Sequence, residues 1–332
     1  MGESFKTHRI TGMAVDPIHV GTGGGRLGRV DQSIVRDPVT QVPKIPGSSL
    51  AGVYRAYCAM HQQSSRPTRQ VDGKPKPYYP DCAGQGQPDQ QGKGGHCGQR
   101  DCPICTVFGF ARSAGGGFAG LAAFSDAQVL LFPVATREGP VWITCPGATR
   151  LIGTEINGLN DARVYRSTNG QPLNLGWLLL PVEKLPDGDD PKQRLDSTIP
   201  GFIGDHLAVV SDKLFSHIVN SNLEVRTSVS INPETGAAEG GALFTYEALP
   251  RATVLLWEVI SKNPAHFKVG DAAVSAVQDM NGVFKVVEAA HPYLECLGIG
   301  GMGTRGMGRL RVLPPKGPSQ PSAADGGQAG GA

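Results

Sequence analysis

A glycine-rich segment near the C-terminus places the strongest constraint on the fold of this 332-residue chain. Residues 298–309 contain six glycines, which let backbone amides approach a phosphate, and two arginines that supply positive charge. The segment also fits the G-x-G-x-x-G pattern, but a dinucleotide-binding fold needs a following helix and an acidic residue roughly 20 positions later. Only a short strand and a tail follow, so the segment predicts either a phosphate-binding loop or a tight interdomain turn.

Composition limits the classes of protein to which this chain can belong. The net charge of +2 neither demands nor excludes a nucleic-acid partner, so any basic groove must be local. No run of about 18 apolar residues occurs, and the N-terminus lacks the basic-then-apolar layout of a signal peptide. We therefore expect a cytoplasmic protein with no membrane partner.

Apolar periodicity predicts an α+β fold with a ferredoxin-like core. The order of elements is strand, helix, strand, strand, helix, strand. The expected elements are a strand over 5–20, an extended stretch over 34–45, a helix over about 48–62, strands near 122–132 and 141–145, a helix carrying Leu207, Val210, Leu214 and Ile218, a strand over 225–231 and a strand over 254–260.

The core is interrupted by segments of different composition. Residues 1–60 and 106–312 are expected to form the core, and 61–105, rich in glycine and glutamine, an insertion that cannot pack a core of its own. Residues 150–200 are charged and loop-rich, so they are a candidate for a projecting hairpin. The segment 313–332 is expected to be a disordered tail.

Cysteines cluster within the insertion. Cys97, Cys102 and Cys105 follow a C-x4-C-x2-C spacing, His96 is adjacent, and Cys82 lies upstream. Tetrahedral zinc needs four such donors, so the spacing predicts a structural Zn²⁺ site whose fourth ligand is either Cys82 or His96. The alternative is a set of reduced free cysteines.

The first predicted helix offers a second site for phosphate. Its N-terminus follows Pro46 and Gly47, and the free amides and positive dipole end at Ser48 and Ser49 favour an anion. The alternative is that one of these serines only caps the helix.

Several strings now identify a family resemblance. Residues 42–50, the preceding Arg36-Asp37-Pro38 and the C-terminal glycine loop together resemble the RAMP superfamily, the ferredoxin-like (RRM-like) RNA-binding proteins of CRISPR complexes. Within it, residues 125–146 and 241–250 look like the backbone subunits of Cmr-type (type III-B) effector complexes. The resemblance covers about residues 8–312 and leaves out the tail.

The resemblance implies several copies of the chain arranged along a guide RNA, with other effector-complex subunits as partners. A projecting hairpin would interrupt the duplex of guide and complementary target RNA at regular intervals, and the target would be cut beside each interruption. The RNA-binding residues implied are Ser48, Ser49, Arg55, Gly301, Gly303, Thr304, Arg305, Gly306 and Arg309.

The resemblance also implies a metal-dependent endoribonuclease site. Asp31 matches the family's catalytic aspartate and His19 its histidine, while Tyr246 and Glu247 fall where the family has further aromatic and acidic residues. Attack by the neighbouring 2′-hydroxyl needs proton transfer and charge relief at the phosphate. Asp31 could take up the proton, or hold Mg²⁺ or Mn²⁺ for the charge relief.

Two other functions compete with RNA-guided cutting. The first is a non-catalytic subunit that only scaffolds the guide RNA. The second is a small-molecule phosphate or nucleotide binder built on the glycine loop, which the missing Walker lysine disfavours.

Overall fold

The computed structural model of the protein describes residues 3–23, 30–66, 68–71, 73–84, 95–111, 117–186, 190–195 and 199–314. Parts of three predicted segments lie outside these residues: 67, 72 and 85–94 of the insertion, 187–189 and 196–198 of the hairpin candidate, and the tail from 315 onward.

The chain has a mixed α+β fold. The strands are β1 (Phe5–Ala14), β2 (Lys44–Ile45), β3 (Arg69–Val71), β4 (Lys74–Lys76), β5 (Phe110–Ala111), β6 (Gly117–Phe118), β7 (Ala122–Phe124), β8 (Ala127–Thr136), β9 (Gly139–Thr144), β10 (Val164–Arg166), β11 (Gly170–Leu175), β12 (Leu178–Lys184), β13 (Leu207–Val209), β14 (Glu224–Ile231), β15 (Ala238–Ala248), β16 (Val254–Lys262), β17 (Lys268–Val269), β18 (Ala272–Ala273) and β19 (Leu310–Leu313).

The α-helices are mostly short. They are α1 (Gly47–Ser65), α2 (Pro103–Phe108), α3 (Pro146–Arg150), α4 (Lys192–Leu195), α5 (Gly201–Gly204), α6 (Asp212–Ser221), α7 (Met280–Glu288) and α8 (His291–Leu297). Short 3-10 turns lie at Asp81–Ala83, Pro264–His266 and Gly303–Arg305.

A large central sheet organises the molecule. Its strand order is β11-β12-β10-β13-β9-β8-β16-β1-β19, with β2 and β7 pairing at its side. The neighbouring strands β8 and β16, β16 and β1, and β1 and β19 all pair antiparallel. Leu255, Leu256 and Trp257 on β16 are all buried, so both faces of this strand are covered. A Cβ at Gly12 on β1 would lie 2.8 Å from the Trp257 ring, which explains the glycine there.

Helix α1 confirms the sequence prediction with small differences at its ends. It spans Gly47–Ser65, and its buried face carries Leu50, Tyr54 and Cys58 at helical spacing. The alternative in which Ser48 or Ser49 caps the helix is wrong, because Pro46 is the N-cap residue and no side-chain hydrogen bond caps the helix there. Instead, Oδ1 of Asp126 accepts a hydrogen bond from the Gly47 amide at 2.8 Å.

Two other predicted boundaries are wrong. The first strand ends at Ala14 instead of residue 20, and Pro17, which has no amide proton, lies in the stretch that leaves the sheet. The second helix begins at Asp212, where Ser211 caps it by accepting from the Leu214 amide. Leu207 belongs to β13, which runs parallel to β9, so its apolar residues follow strand pairing instead of helical spacing.

Two hairpins differ in how they join the sheet. In the 150–200 region, β11 and β12 form an antiparallel hairpin at one end of the central sheet. The second hairpin, β14–β15, pairs only with itself among the described strands. The alternation that predicts β14 is confirmed, but its apolar residues Val225, Val229 and Ile231 are exposed.

No α-helix in the described part of the chain combines the length and apolar composition needed to cross a membrane.

Candidate functional site

The carboxylate of Asp31 is held by Thr245 at the base of the β14–β15 hairpin. Oδ2 of Asp31 accepts hydrogen bonds from the Thr245 amide at 2.7 Å and from its hydroxyl at 2.9 Å. The Asp31 amide donates to the same hydroxyl at 3.2 Å. Asp31 is exposed, and the bonds from Thr245 hold its carboxyl pKa below the usual value. The group is therefore a fixed, ionised carboxylate open to a ligand.

The backbone next to Asp31 is also tied to β15. The Gln32 amide donates to the Thr245 carbonyl at 3.1 Å, and the Glu247 amide donates to the Gln32 carbonyl at 3.0 Å. These bonds form a parallel bridge between Gln32 and Tyr246. The backbone at Asp31 and Gln32 is thus hydrogen-bonded to β15 of the hairpin.

His19 connects the same hairpin to the glycine-rich loop. Its Nδ1 lies 2.6 Å from the Glu247 carbonyl oxygen. Because a carbonyl can only accept, Nδ1 carries the proton, and Nε2 is left as an acceptor in the neutral ring. The His19 carbonyl accepts from the Gly301 amide at 2.8 Å. The ring is 5% exposed and meets the Tyr246 ring edge-on at 5.9 Å.

Glu247 is paired with Arg36 behind the site. Nη2 of Arg36 donates to Oε2 of Glu247 at 2.8 Å, and the two side chains are 22% and 9% exposed. Arg36 also donates through Nε to Asn220 on α6 at 2.8 Å. The Glu247 carboxylate is therefore committed to an internal ion pair, unlike that of Asp31.

The four residues predicted as catalytic are brought together, but they differ in access. Tyr246 is 3% exposed and packs against Met307 and Ala248. Sequence reasoning missed Thr245, and it noted Arg36 only as part of a motif. Neither carried a signal, because their partners lie more than 200 positions away in the chain.

The glycine-rich loop folds against His19 in a conformation that requires glycine. Gly300 has a φ of +90°, and a Cβ there would lie 2.3 Å from the His19 carbonyl oxygen. Gly308 has a φ of +96°, and its amide donates to the Pro17 carbonyl at 2.8 Å. Several amides are thus used within the fold. The longest exposed run in the loop is the turn over Gly303–Arg305 with Gly306, and Gly300, Gly301 and Arg309 are exposed as well.

The two arginines of this loop differ in their freedom. Arg309 forms a two-point ion pair with Asp16, with Nε to Oδ2 at 2.5 Å and Nη2 to Oδ1 at 3.0 Å. Arg305 is exposed next to Thr304, and its guanidinium lies 6.0 Å from the centre of the Phe244 ring. Arg305 therefore has the freer positive charge for an external anion.

The middle of α1 contacts the start of the glycine loop. The Tyr57 hydroxyl donates to the Gly298 carbonyl at 2.6 Å. Ser48 is exposed and Ser49 half-buried in the first turn of the same helix. The contact therefore places the two predicted phosphate-binding motifs on neighbouring elements.

Arg55 on α1 points elsewhere than the sequence prediction expected. It donates through Nε to the Cys82 carbonyl at 2.7 Å and through Nη1 to the Gly109 carbonyl at 2.8 Å. Nη2 lies 2.8 Å from Nδ1 of His96. The guanidinium thus binds the cysteine-rich segment instead of facing the glycine loop.

Four buried cysteines form a compact cluster. The sulfurs of Cys82, Cys97, Cys102 and Cys105 all lie within 4.8 Å of one another. Tetrahedral zinc with Zn–S bonds of about 2.3 Å needs sulfurs about 3.8 Å apart, so a thiolate-bound ion fits this group. His96 lies outside the cluster, which favours Cys82 as the fourth ligand.

Amide and guanidinium groups surround the sulfurs. The Gln99 amide donates to the Cys97 sulfur and the Cys105 amide to the Cys102 sulfur, both at 3.4 Å. Nη2 of Arg69 donates to the Cys82 sulfur at 3.4 Å. These donors suit sulfurs that carry negative charge, as they do when they bind a metal.

Comparison with known proteins adds to the geometry. The model of the RAMP superfamily matches residues 13–311. The CRISPR system Cmr endoribonuclease Cmr4 of Pyrococcus furiosus is 25% identical over 93% of this chain and 95% of its own length. The CRISPR system Cms endoribonuclease Csm3 of Methanothermobacter thermautotrophicus is 30% identical over 33% of this chain and 36% of its own.

Solved structures share the fold. A chain of the type III-B Cmr-beta complex bound to cognate target RNA aligns with a TM-score of 0.60 at 14% identity, covering 94% of this chain and 98% of that one. A crystal structure of Cmr4 aligns with a TM-score of 0.56 at 19% identity, covering 94% of this chain and 100% of that one.

Proposed function

The chain belongs to the RAMP superfamily, and from this membership we propose that it is a guide-RNA-binding backbone subunit of a type III CRISPR effector complex. Copies of it assemble along the guide and cleave complementary target RNA at regular intervals. The full-length similarity to a Cmr endoribonuclease supports this function. The observation that carries it is the exposed Asp31 carboxylate, held in one orientation by Thr245.

Asp31 is the residue proposed to act on the RNA. Its Oδ2 is occupied by Thr245, while Oδ1 accepts no hydrogen bond from another described residue. Oδ1 can take the proton of the attacking 2′-hydroxyl as that oxygen bonds to phosphorus and the bond to the 5′-oxygen breaks. The 5′-oxygen takes a proton from water as it leaves, and the products are a cyclic phosphate and a 5′-hydroxyl.

A divalent cation fits the same carboxylate. Mg²⁺ and Mn²⁺ prefer oxygen ligands and keep several waters, so one exposed carboxylate with a free oxygen suits weak binding shared with RNA phosphates. Such an ion supplies charge relief at the phosphate. Asp31 would hold it, because Glu247, the other acidic residue described at the site, is paired with Arg36.

The other three predicted catalytic residues are proposed to organise the site. His19 joins the glycine loop to β15. Tyr246 packs against Met307 of the glycine loop, and Arg36 forms an ion pair with Glu247. Their burial also favours the second candidate function, a scaffold that binds guide RNA and leaves cutting to a partner. The two functions differ only in whether Asp31 acts.

The RNA-binding surface is proposed to combine two neighbouring elements. The first turn of α1 presents Ser48 and Ser49, and the glycine loop presents the turn from Gly303 to Gly306 with Arg305. The hydrogen bond from Tyr57 to Gly298 supports this combination because it joins the helix to the loop. Phosphate contacts of this kind carry no sequence information, as a guide of any sequence requires.

We assign the duplex-interrupting role to the β14–β15 hairpin instead of the 150–200 region. The hairpin stands apart from the central sheet and exposes Val229, Ile231 and Leu243. Its base carries Thr245, so a cut at Asp31 would fall beside the interruption. The β11–β12 hairpin is joined to the sheet through β10.

The ferredoxin-like core and the zinc site are proposals of the same kind. The order β19–β1–β16–β8 with antiparallel neighbours, linked by α1 and by α7 with α8, supports the core. The four clustered sulfurs support a structural zinc that anchors the 61–105 insertion to α1. Cys82, Cys97, Cys102 and Cys105 would be its ligands.

Reconstitution with a defined guide tests the function. The complex is assembled with one guide RNA and given, in Mg²⁺ or Mn²⁺, either a complementary RNA or one of scrambled sequence. Evenly spaced cuts in the complementary RNA alone are expected. Equal cutting of both RNAs would contradict guided cleavage.

A further inference from the structure

We propose that Thr245 is a positioning residue that fixes Asp31 to the base of the β14–β15 hairpin, so that the hairpin sets where the target backbone meets the carboxylate. This inference rests on the proposed function. It adds a reason why cuts would fall at a constant offset from each interruption of the duplex.

Thr245 and Asp31 hold one another through reciprocal hydrogen bonds. Thr245 donates to Oδ2 from both its amide and its hydroxyl, at 2.7 and 2.9 Å, and that hydroxyl accepts from the Asp31 amide at 3.2 Å. Three bonds between two residues define both the position of the Asp31 backbone and the rotation of its side chain. We call these three bonds the Asp31–Thr245 bracket. Hydrogen bonds to a charged acceptor are the stronger kind, so the bracket keeps the Asp31 carboxylate from reorienting.

The backbone pairing extends the bracket along the strand. Gln32 donates to the Thr245 carbonyl and accepts from the Glu247 amide, so residues 31 and 32 run beside β15. Because β15 is one arm of the hairpin, a movement of the hairpin carries Asp31 with it. The hairpin therefore sets the position of the Asp31 carboxylate.

The bracket also decides which carboxylate oxygen is available. Oδ2 receives both bonds from Thr245, and no other described residue donates to Oδ1. Oδ1 is thus the oxygen presented to the RNA. Loss of the Thr245 hydroxyl leaves a single amide bond, about which the carboxylate can rotate.

The face of the hairpin beside this bracket offers a matched control. Thr227 on β14 is the direct cross-strand partner of Thr245, and it is exposed. Its side chain makes no hydrogen bond to Asp31. The same substitution at Thr227 therefore changes the same hairpin face without touching the carboxylate.

The test compares Thr245→Val, Thr245→Ser and Thr227→Val in the assembled complex, with Asp31→Ala as reference. Single-turnover cleavage rate, target-RNA affinity and the position of each cut are measured. Thr245→Val is expected to lower the rate about ten- to hundredfold, the value of one hydrogen bond to a charged group, while target affinity stays within about twofold. Thr245→Ser restores the rate, and Thr227→Val leaves it unchanged.

The outcomes separate the inference from the function on which it rests. If Asp31→Ala abolishes cutting and Thr245→Val cuts at the wild-type rate and positions, the positioning role is wrong and the function stands. If Thr227→Val slows cutting as much as Thr245→Val, the effect belongs to the hairpin face and the inference also fails. If Asp31→Ala cuts normally, the proposed function itself is wrong. Circular-dichroism melting of each variant checks that the substitution leaves the overall fold intact.

Discussion

Arg36 and Glu247 form a largely buried ion pair, with Nη2 of Arg36 at 2.8 Å from Oε2 of Glu247, directly behind the strand that holds Asp31. Asn220 on α6 binds the same guanidinium. The pair therefore joins the loop before α1 to the hairpin and to α6, and it stabilises the site.

Removing one partner of this pair is expected to be costly. Arg36→Met leaves the Glu247 carboxylate buried without a counter-charge, which destabilises a protein by about 3–5 kcal/mol. Urea unfolding at pH 7 measures the loss. Glu247→Gln, which keeps a hydrogen-bond acceptor, should lose clearly less. Equal stability of Arg36→Met and wild type would contradict the ion pair.

Two arginines that the sequence assigns to RNA are expected to have different roles. Arg55→Met should reduce zinc retention against a chelator and leave guide affinity within about twofold, because Arg55 holds the Cys82 and Gly109 carbonyls. Arg305→Met should weaken guide binding and reduce the salt slope by about one, with zinc retention unchanged. Filter binding over a salt series and a chelator-release assay check both. If Arg55→Met weakened guide binding and Arg305→Met did not, Arg55 would be the RNA contact and the two assignments would be wrong.

The fourth zinc ligand is tested by a pair of substitutions. Cys82→Ser should lower the zinc content of the purified protein below about half an equivalent, whereas His96→Gln should keep about one. The reason is that the Cys82 sulfur lies within the cluster and His96 does not. Elemental analysis gives the ratio. Zinc loss in His96→Gln with full occupancy in Cys82→Ser would contradict the geometry.

His291 is expected to make the fold sensitive to mild acid. Burial lowers the pKa of His291 to about 4, and its Nε2 has no hydrogen-bond partner among the described residues. The unfolded chain binds a proton near pH 6.5 and the folded chain does not, so stability falls as pH drops from about 6.5 toward 4. At about 1.4 kcal/mol per pH unit, the loss between pH 7 and pH 5 is about 2 kcal/mol.

A leucine at this position isolates the effect of His291. Urea unfolding at both pH values should show that His291→Leu loses about 2 kcal/mol less than wild type over the same interval. The same pH dependence in both proteins would show that other groups account for it.

The sequence predicts local elements of this fold better than their ends. The helical spacing of Leu50, Val53, Tyr54 and Tyr57 correctly predicts α1, because burial of one face sets both pattern and structure. The helix predicted from Leu207 fails for its first residues, because a pair of apolar positions three apart also fits a short buried strand. Pattern alone cannot choose between them.

The candidate site depends on long-range pairing that no local pattern reports. The cysteine spacing predicts a cluster, but whether Cys82 or His96 completes it depends on how the intervening chain folds. Asp31 is found through family resemblance, whereas Thr245 lies 214 positions away and is ordinary in its own strand. Arg55 is assigned to RNA through the family resemblance, whereas its guanidinium contacts the Cys82 and Gly109 carbonyls and His96.

Cleavage of a guide-complementary RNA by complexes assembled with wild type or with Asp31→Ala tests the central claim most directly. Guide affinity is measured alongside, so that a defect in assembly is distinguished from a defect in cutting. Our account predicts evenly spaced products from the wild type, no products from Asp31→Ala, and equal guide binding by both. Identical products from the two complexes would contradict it and leave this chain as a guide-RNA scaffold.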